Sequence, residues 1–548
     1  MATVSGPPAD LEPGLGPRTL GGLLWDVTRR HPAREALCWD PPGGTTVRWS
    51  YRTLAARADQ YARALVAAGV EPGERVALLM GNRPEWVAAA FGVALAGCVL
   101  VPVNTLFEPP EIAYVLRHSG ATTLLYQPRL AGHAYDEQVA HLAPSLPGLA
   151  RRLCLGSSEH ASFLRRGRSV PPRSVAARAE RVTALDDAVV IYTSGTTGQP
   201  KGVLHCHRAA AIQSWRFARL LRLDPTVRVW SAFPFFWTAG FCMVMGATLA
   251  AGGCLVLQER FEPAEALALL ERERVTTPHA WPHQAAALEA HPDWLRRDLS
   301  SIRHADPLGA FARHPSVAAG SGWSPRAAYG LTETFTIVSA VAADAPAAAR
   351  DGHEGFVLPG NVVRIVDPDT ETELPPGATG EIRVRGPTLM KGYVGVDPAE
   401  VFDGAGFFPT GDAGWVDRAG RLHWAGRADG LVKTGGANVS PVELETALLA
   451  HPGLRTAAVV GVPDPLLGQL VVVCAVAQPG ATVTEHDVRA FLQGKLASYK
   501  LPRRVLFFDE RELSFTGSAK VRTNRLRQLA TARLRPAPPG GGPGPRLA

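Results

Sequence analysis

The sequence predicts an α/β protein: a large N-terminal domain of helix-covered sheets followed by a smaller α+β domain. Three observations predict it. From about residue 20 to 425, β-branched apolar runs alternate with small-residue helical runs, the rhythm of parallel strands covered by helices. After the GRADG stretch that ends at Gly430 the pattern changes to a helix, two strands, a helix and a further strand, a compact unit of roughly domain size. A chain of 548 residues also exceeds what one ordinary core organises.

The elements follow in order. RVALLM (75–80) reads as a buried strand, PEWVAAAFGVALAG (84–97) as a helix with Pro at its start, and CVLVPV (98–103) as the next strand. TTLLY (122–126), DAVVIYTS (187–194) and GGCLVLQ (252–258) continue the strand series. The apolar stretches 86–104 and 238–258 approach the length of a membrane span, but each divides at glycine into a helix and a strand, so burial inside the protein is expected. GEIRVRG and RLHWAGRADG lead to the boundary. Beyond it, PVELETALLAH and HDVRAFLQGKL read as helices, and RTAAVVGVP, LVVVCAVAQ and RRVLFFD as strands. The terminal RPAPPGGGPGPRLA is rich in proline and glycine without periodicity, the composition of a disordered tail.

Composition narrows the function. The net charge is +7, yet no block of basic residues concentrates it, which argues against nucleic acid. Seven scattered cysteines lack metal or redox spacing and fit a reducing cytoplasm. The N-terminus has neither the basic start nor the apolar core of a secretory signal. Six lysines stand against 51 arginines. With arginine supplying charge almost everywhere, Lys201, Lys391, Lys433, Lys495, Lys500 and Lys520 are candidates for a site that needs a compact ammonium, Lys495 the least so.

The segment YTSGTTGQPKGV (192–203) carries the strongest chemical signal. Glycine leaves backbone N–H groups open to an anion, hydroxyls add donors, and one lysine adds charge, so the stretch is a candidate polyphosphate cradle, against the plainer reading of a polar turn. Its spacing differs from the P-loop of the common NTPases. Residue for residue it resembles the phosphate-loop signature of the adenylate-forming superfamily of acyl-CoA synthetases, amino-acid adenylation domains and firefly luciferase. YGLTET (329–334), TGD (410–412), GRADGLVKTGGANVSPVELE (426–445) and TGSAKVRTNRLR (516–527) are similar to that family's further motifs and come in the family's order.

The resemblance implies an adenylate-forming fold, with residues 1–428 as the AMP-binding domain, 429–534 as a mobile lid and 535–548 as the tail. It implies ATP, Mg²⁺ and coenzyme A as reactants. Thr193, Ser194, Gly195, Thr196, Thr197, Gly198 and Lys201 would embrace the β- and γ-phosphates. Tyr329, followed by Gly330, would stack on adenine, Thr332 would meet the α-phosphate, and Glu333 would hold Mg²⁺. Asp412 and Arg427 would take the ribose hydroxyls, Asp429 would be the hinge, and Gly435 and Gly436 would flank the pantetheine passage. Lys520 would bridge carboxylate and α-phosphate during adenylation.

Three places depart from the family pattern: Trp237 where histidine is common, HADPLGA (304–310) in the adenine strand, and Ala519 where glycine commonly precedes the lysine. FPFFWTAGF (233–241) carries no carboxylate to balance a substrate ammonium, which disfavours an α-amino acid. Phe235, Phe236, Trp237, Gly240 and Phe335 instead imply an apolar cleft for a fatty, aromatic or alicyclic acid. The expected activity is therefore an ATP-dependent acyl-CoA ligase. A ligase that loads a phosphopantetheine carrier protein is the alternative, and an inactive nucleotide-binding scaffold a more distant one. The H-C-H run at 205–207 is too short to wrap a metal ion.

Overall fold

The computed structural model describes residues 3–41, 44–193, 199–318, 323–325, 327–427, 431–509 and 523–534. Among the described residues, those up to 193 and from 200 to 427 gather into one compact unit, and Gln199 with those from 431 onward into a second.

The larger unit is built on three main sheets. In the first, seven strands run in the order Gly392–Tyr393, Lys201–Cys206, Asp187–Thr193, Val99–Pro102, Arg75–Leu79, Thr123–Tyr126, Arg151–Cys154. The five from Asp187–Thr193 onward are parallel, as the alternation of strands and helices predicts. Lys201–Cys206 returns antiparallel to Asp187–Thr193, with Thr193 opposite Lys201. The phosphate-loop sequence thus joins two adjacent antiparallel strands, where a P-loop would join a strand to a helix.

The second sheet has the order Thr277–His279, Arg228–Ser231, Cys254–Leu257, Glu35–Trp39, Val47–Ser50, parallel except at the last pair. Helix Pro84–Leu95 is buried all round, which explains its nearly continuous apolar sequence. Its Trp86 meets Phe235 and Phe241 from the second half of the unit, in a core that also holds Phe335.

The third sheet corrects the expectation of parallel strands up to residue 425. Thr3–Ser5, Val362–Val366, Gly380–Arg385, Phe408–Val416 and Leu422–Arg427 pair antiparallel throughout. No helix long enough for a parallel crossover separates the strands from Val362 onward, so they return by direct connections. The apolar stretch after residue 238 also differs in detail: Ala239–Gly246 winds as a π-helix before the α-helix Ala247–Ala251 and the strand Cys254–Leu257. No helix among the described residues is long and apolar enough to cross a membrane.

Two buried charge clusters brace this unit. Glu12 lies fully buried against Arg216, which donates to it at 2.8–3.0 Å and ties the N-terminal segment to helix His207–Leu220. Glu35, Cys38 and Glu273 lie close enough together to share an ion. Their carboxylates, however, are taken by Arg48 and Arg228, and burial pushes the Cys38 thiol up to about 12.

Burial raises the Glu273 carboxyl, but hydrogen bonds from Arg48 and Arg272 outweigh it and bring the group from 4.5 down to about 2. A depressed carboxyl stabilises the fold above its unfolded pKa and loses that contribution as pH falls through the folded one. The unfolding free energy of the wild type is therefore expected to fall more steeply between pH 4.5 and 2 than that of Glu273→Gln. Equal slopes in denaturant titrations across that window would refute the assignment.

The smaller unit pairs Ala437–Val439, Val432–Thr434, Gly468–Ala477 and Leu454–Asp464 in one sheet, with Arg504–Phe507 added parallel to Gly468–Ala477. Helices Pro441–Leu448 and Glu485–Leu492 pack their apolar sides on it. The helix Thr523–Leu534 is the final described element.

Candidate active site

The strand Lys201–Cys206 organises the site. Its side chains alternate, so Lys201, Val203 and His205 share one face. Lys201 Nζ lies 5.1 Å from the centre of the Tyr393 ring, and the Tyr393 hydroxyl donates to Glu333 Oε1 at 2.7 Å. The Met390 N–H bonds the Glu333 carbonyl, and the Val394 N–H bonds that of Gly202. The phosphate-loop lysine and the carboxylate of YGLTET are thereby brought to one place by Tyr393, a residue the motifs did not single out. Its MKGY surroundings were the available signal.

Thr332–Thr334 forms a single 3₁₀ turn after strand Ala328–Leu331, leaving Thr332 and Glu333 half-exposed. Gly330 lets the chain fold back: a Cβ there would sit 1.5 Å from the Thr336 carbonyl oxygen. Phe335 and Thr336 follow with φ of +49° and +97°, left-handed conformations that side chains disfavour. Phe335 is fully buried, edge-on to His205 and Phe241.

Tyr329 and Asp412 meet directly. The Tyr329 hydroxyl donates to Asp412 Oδ2 at 2.8 Å, and both residues are buried. The sequence gives them separate tasks, adenine and ribose, and no spacing rule links residues 83 apart. Asp412 lies opposite Arg427 in the strand register.

Around the uncharged segment 233–241 the rings gather closely. Phe233 stacks on Trp281 at 4.1 Å, Phe236 meets Trp237 edge-on at 5.2 Å, and His304 stacks on Trp323 at 5.3 Å. His279 joins this group, its pKa lowered to about 4 chiefly by burial. No local signature marks Trp281, Trp323 or His279, which come from strand ends and loops, while His304 opens the HADPLGA stretch, where the sequence suggests only a departure from the adenine strand. Gly240 is accounted for by packing: a Cβ would lie 2.0 Å from the Pro234 carbonyl oxygen.

In the smaller unit, Gly435 and Gly436 form the two-residue turn of a hairpin, with φ of +55° and +86° and Thr434 paired to Ala437. A turn with both central residues left-handed calls for glycine. Thr193 ends its strand opposite Lys201. Ser194, Gly195, Thr196, Thr197, Gly198, Asp429 and Lys520 lie outside the described residues.

Comparison with known proteins decides the family. A family model described as AMP-binding enzyme matches residues 24–394. The chain belongs to that family. The AMP-binding enzyme C-terminal domain matches residues 443–520 as well. Among curated relatives of this AMP-binding enzyme, a feruloyl-CoA synthase of Amycolatopsis sp is 35% identical over 521 residues, 93% of this chain and 99% of that one. The indoleacetate–CoA ligase of Aromatoleum aromaticum is 33% identical, covering 89% and 95%. Among solved structures, the amide bond synthetase McbA of Marinactinospora thermotolerans matches with a TM-score of 0.75 at 29% identity, over 93% and 99% of the two chains. ATP-bound MatB of Rhodopseudomonas palustris matches with a TM-score of 0.64 at 29% identity, over 94% and 100%.

Proposed function

We propose that the chain is an AMP-forming acyl-CoA ligase that activates an aromatic or other cyclic carboxylic acid. The observation that carries this reading is the meeting of Lys201, Tyr393 and Glu333 beside the Thr332 turn. A carboxylate is a poor acylating agent because hydroxide leaves badly. Attack of its oxygen on the α-phosphorus of ATP breaks the bond to pyrophosphate and leaves an acyl adenylate. A thiol then attacks the carbonyl and releases AMP.

This chain's residues divide that work by position. In this reading the phosphate-loop residues with Lys201 would hold the β- and γ-phosphates in line for departure, and Thr332 would fix the α-phosphate. The buried Tyr329–Asp412 pair offers a carboxylate to the ribose, oriented by the tyrosine hydroxyl. Positioning and charge neutralisation then supply most of the rate. The Glu333 carboxylate is a hard oxygen donor of the kind Mg²⁺ prefers, and the ion when bound would neutralise phosphate charge. Lys520 and the Gly435–Gly436 turn keep their assigned tasks as part of this proposal.

The aromatic surroundings of residues 233–241 and the absence there of a carboxylate favour a flat, uncharged acyl group. The relatives named above are a CoA synthase and a CoA ligase, for ferulate and indoleacetate by name, which favours coenzyme A over a carrier protein.

The test is a panel of carboxylic acids incubated with ATP and Mg²⁺, read as pyrophosphate release and then as product with CoA, a holo-carrier protein or an amine. We expect release with cinnamic- and arylacetic-type acids and thioester with CoA. Release with no acid, or amide or carrier product in place of the CoA thioester, would refute the proposal.

A further inference from the structure

Of the H-C-H run, neither imidazole is accounted for by the phosphate-loop signature, and the two engage different partners. His207 accepts from the Leu20 N–H at 3.4 Å near the start of its helix. His205 remains on the strand, on the face that carries Lys201, and its Nε2 lies 2.8 Å from the Thr332 carbonyl oxygen. A carbonyl only accepts, so Nε2 carries the proton and Nδ1 holds a lone pair. Nδ1 is buried with no hydrogen bond among the described residues. Burial lowers the pKa of the ring to about 3, so the donor on Nε2 persists as neutral imidazole throughout the working range.

A buried histidine with an unsatisfied nitrogen is costly where leucine would fill the same space. What it holds explains the cost. The Thr332–Glu333 turn runs into the two left-handed residues Phe335 and Thr336, a conformation that persists only where neighbours over-determine it. Three buried side chains do so. Gln213 Nε2 donates to the Thr334 and Ile337 carbonyls at 3.0 and 2.7 Å, and the Cys242 thiol lies 3.3 Å from Thr336 Oγ1. His205 holds the Thr332 carbonyl and packs its ring on Phe335, at 4.8 Å between centres. Of these three, only His205 shares a strand with Lys201.

We infer that His205 is a positioning residue for adenylation: its hydrogen bond to the Thr332 carbonyl sets the turn bearing Thr332 and Glu333 in register with Lys201. One strand then carries both phosphate-facing segments, and an error in either would misplace ATP relative to the attacking carboxylate. The inference rests on the proposed function.

Two substitutions in the full-length chain separate positioning from packing. His205→Leu keeps bulk, removes the donor and also removes the unsatisfied nitrogen, so a merely structural role predicts unchanged or higher stability and unchanged activity. His205→Gln can place an amide N–H near the Nε2 position. Acid-dependent exchange of pyrophosphate into ATP and amide hydrogen exchange at Phe335 and Met390, whose N–H groups bond the Thr332 and Glu333 carbonyls, are both measured.

We expect His205→Leu to lower the kcat of exchange about tenfold, with the KM for the acid within about twofold, and to speed both amides by about tenfold. His205→Gln should return both readouts toward wild type. Wild-type behaviour in His205→Leu, or equal damage in the two variants, overturns the inference. If the wild type itself exchanges no pyrophosphate with any acid, the proposed function fails and the amide rates alone decide the positioning role.

Discussion

Lys520→Ala is expected to lower acid-dependent pyrophosphate exchange by at least about a hundredfold, because a donor aimed at charge that develops in the transition state is worth about 3–4 kcal/mol. The expectation comes from the motif TGSAKVRTNRLR, whose lysine is one of only six in the chain. While the carboxylate approaches the α-phosphorus, two anions share one site, and an ammonium between them is worth most at the point of closest approach. Thioester formation from supplied acyl adenylate no longer has that problem, since the phosphorus–oxygen bond already exists. It should therefore proceed at a rate near that of the wild type. Equal loss in both half-reactions, in a protein with wild-type thermal stability, would remove Lys520 from the adenylation step.

Lys500→Met has the second largest expected effect, and it concerns stability. Lys500 is 1% exposed, and its Nζ donates to Glu443 Oε1 at 2.7 Å, joining the residues after helix Glu485–Leu492 to the helix Pro441–Leu448. Removing one partner of a buried ion pair typically costs about 3–5 kcal/mol, because the remaining charge stays in a poorly solvated place, whereas replacing both partners by apolar residues is often neutral. The protection of strand Gly468–Ala477 against amide exchange should fall accordingly in Lys500→Met and largely recover in the variant that also carries Glu443→Met. A loss below about 1 kcal/mol in the single variant would mean that the pair is solvated in solution.

Lys500 also qualifies what the lysine census means. Scarcity marked six lysines, and those whose surroundings are described differ in what they do. Lys201 lies beside the carboxylate of the YGLTET turn through Tyr393, Lys500 is a buried structural cation, and Lys391 pairs with Asp187 at the surface. Lys495 stands over the Phe491 ring. Composition registers that a compact charge is needed without recording whether a phosphate, a carboxylate or a ring needs it.

By itself the sequence determined the alternating strands and helices of the first two sheets, the change of architecture after residue 430 and the order of the nucleotide-binding motifs. Each of these is written over a few consecutive residues, in side-chain periodicity or in glycine and hydroxyl spacing. Tertiary structure alone decided that Tyr329 bonds Asp412, that His205 holds Thr332, that Tyr393 joins Lys201 to Glu333, and that Trp281 and Trp323 gather near residues 233–241. Those partners are distant in the chain, and sheet order and strand register bring them together. Register depends on how whole faces pack, which no short stretch of sequence encodes.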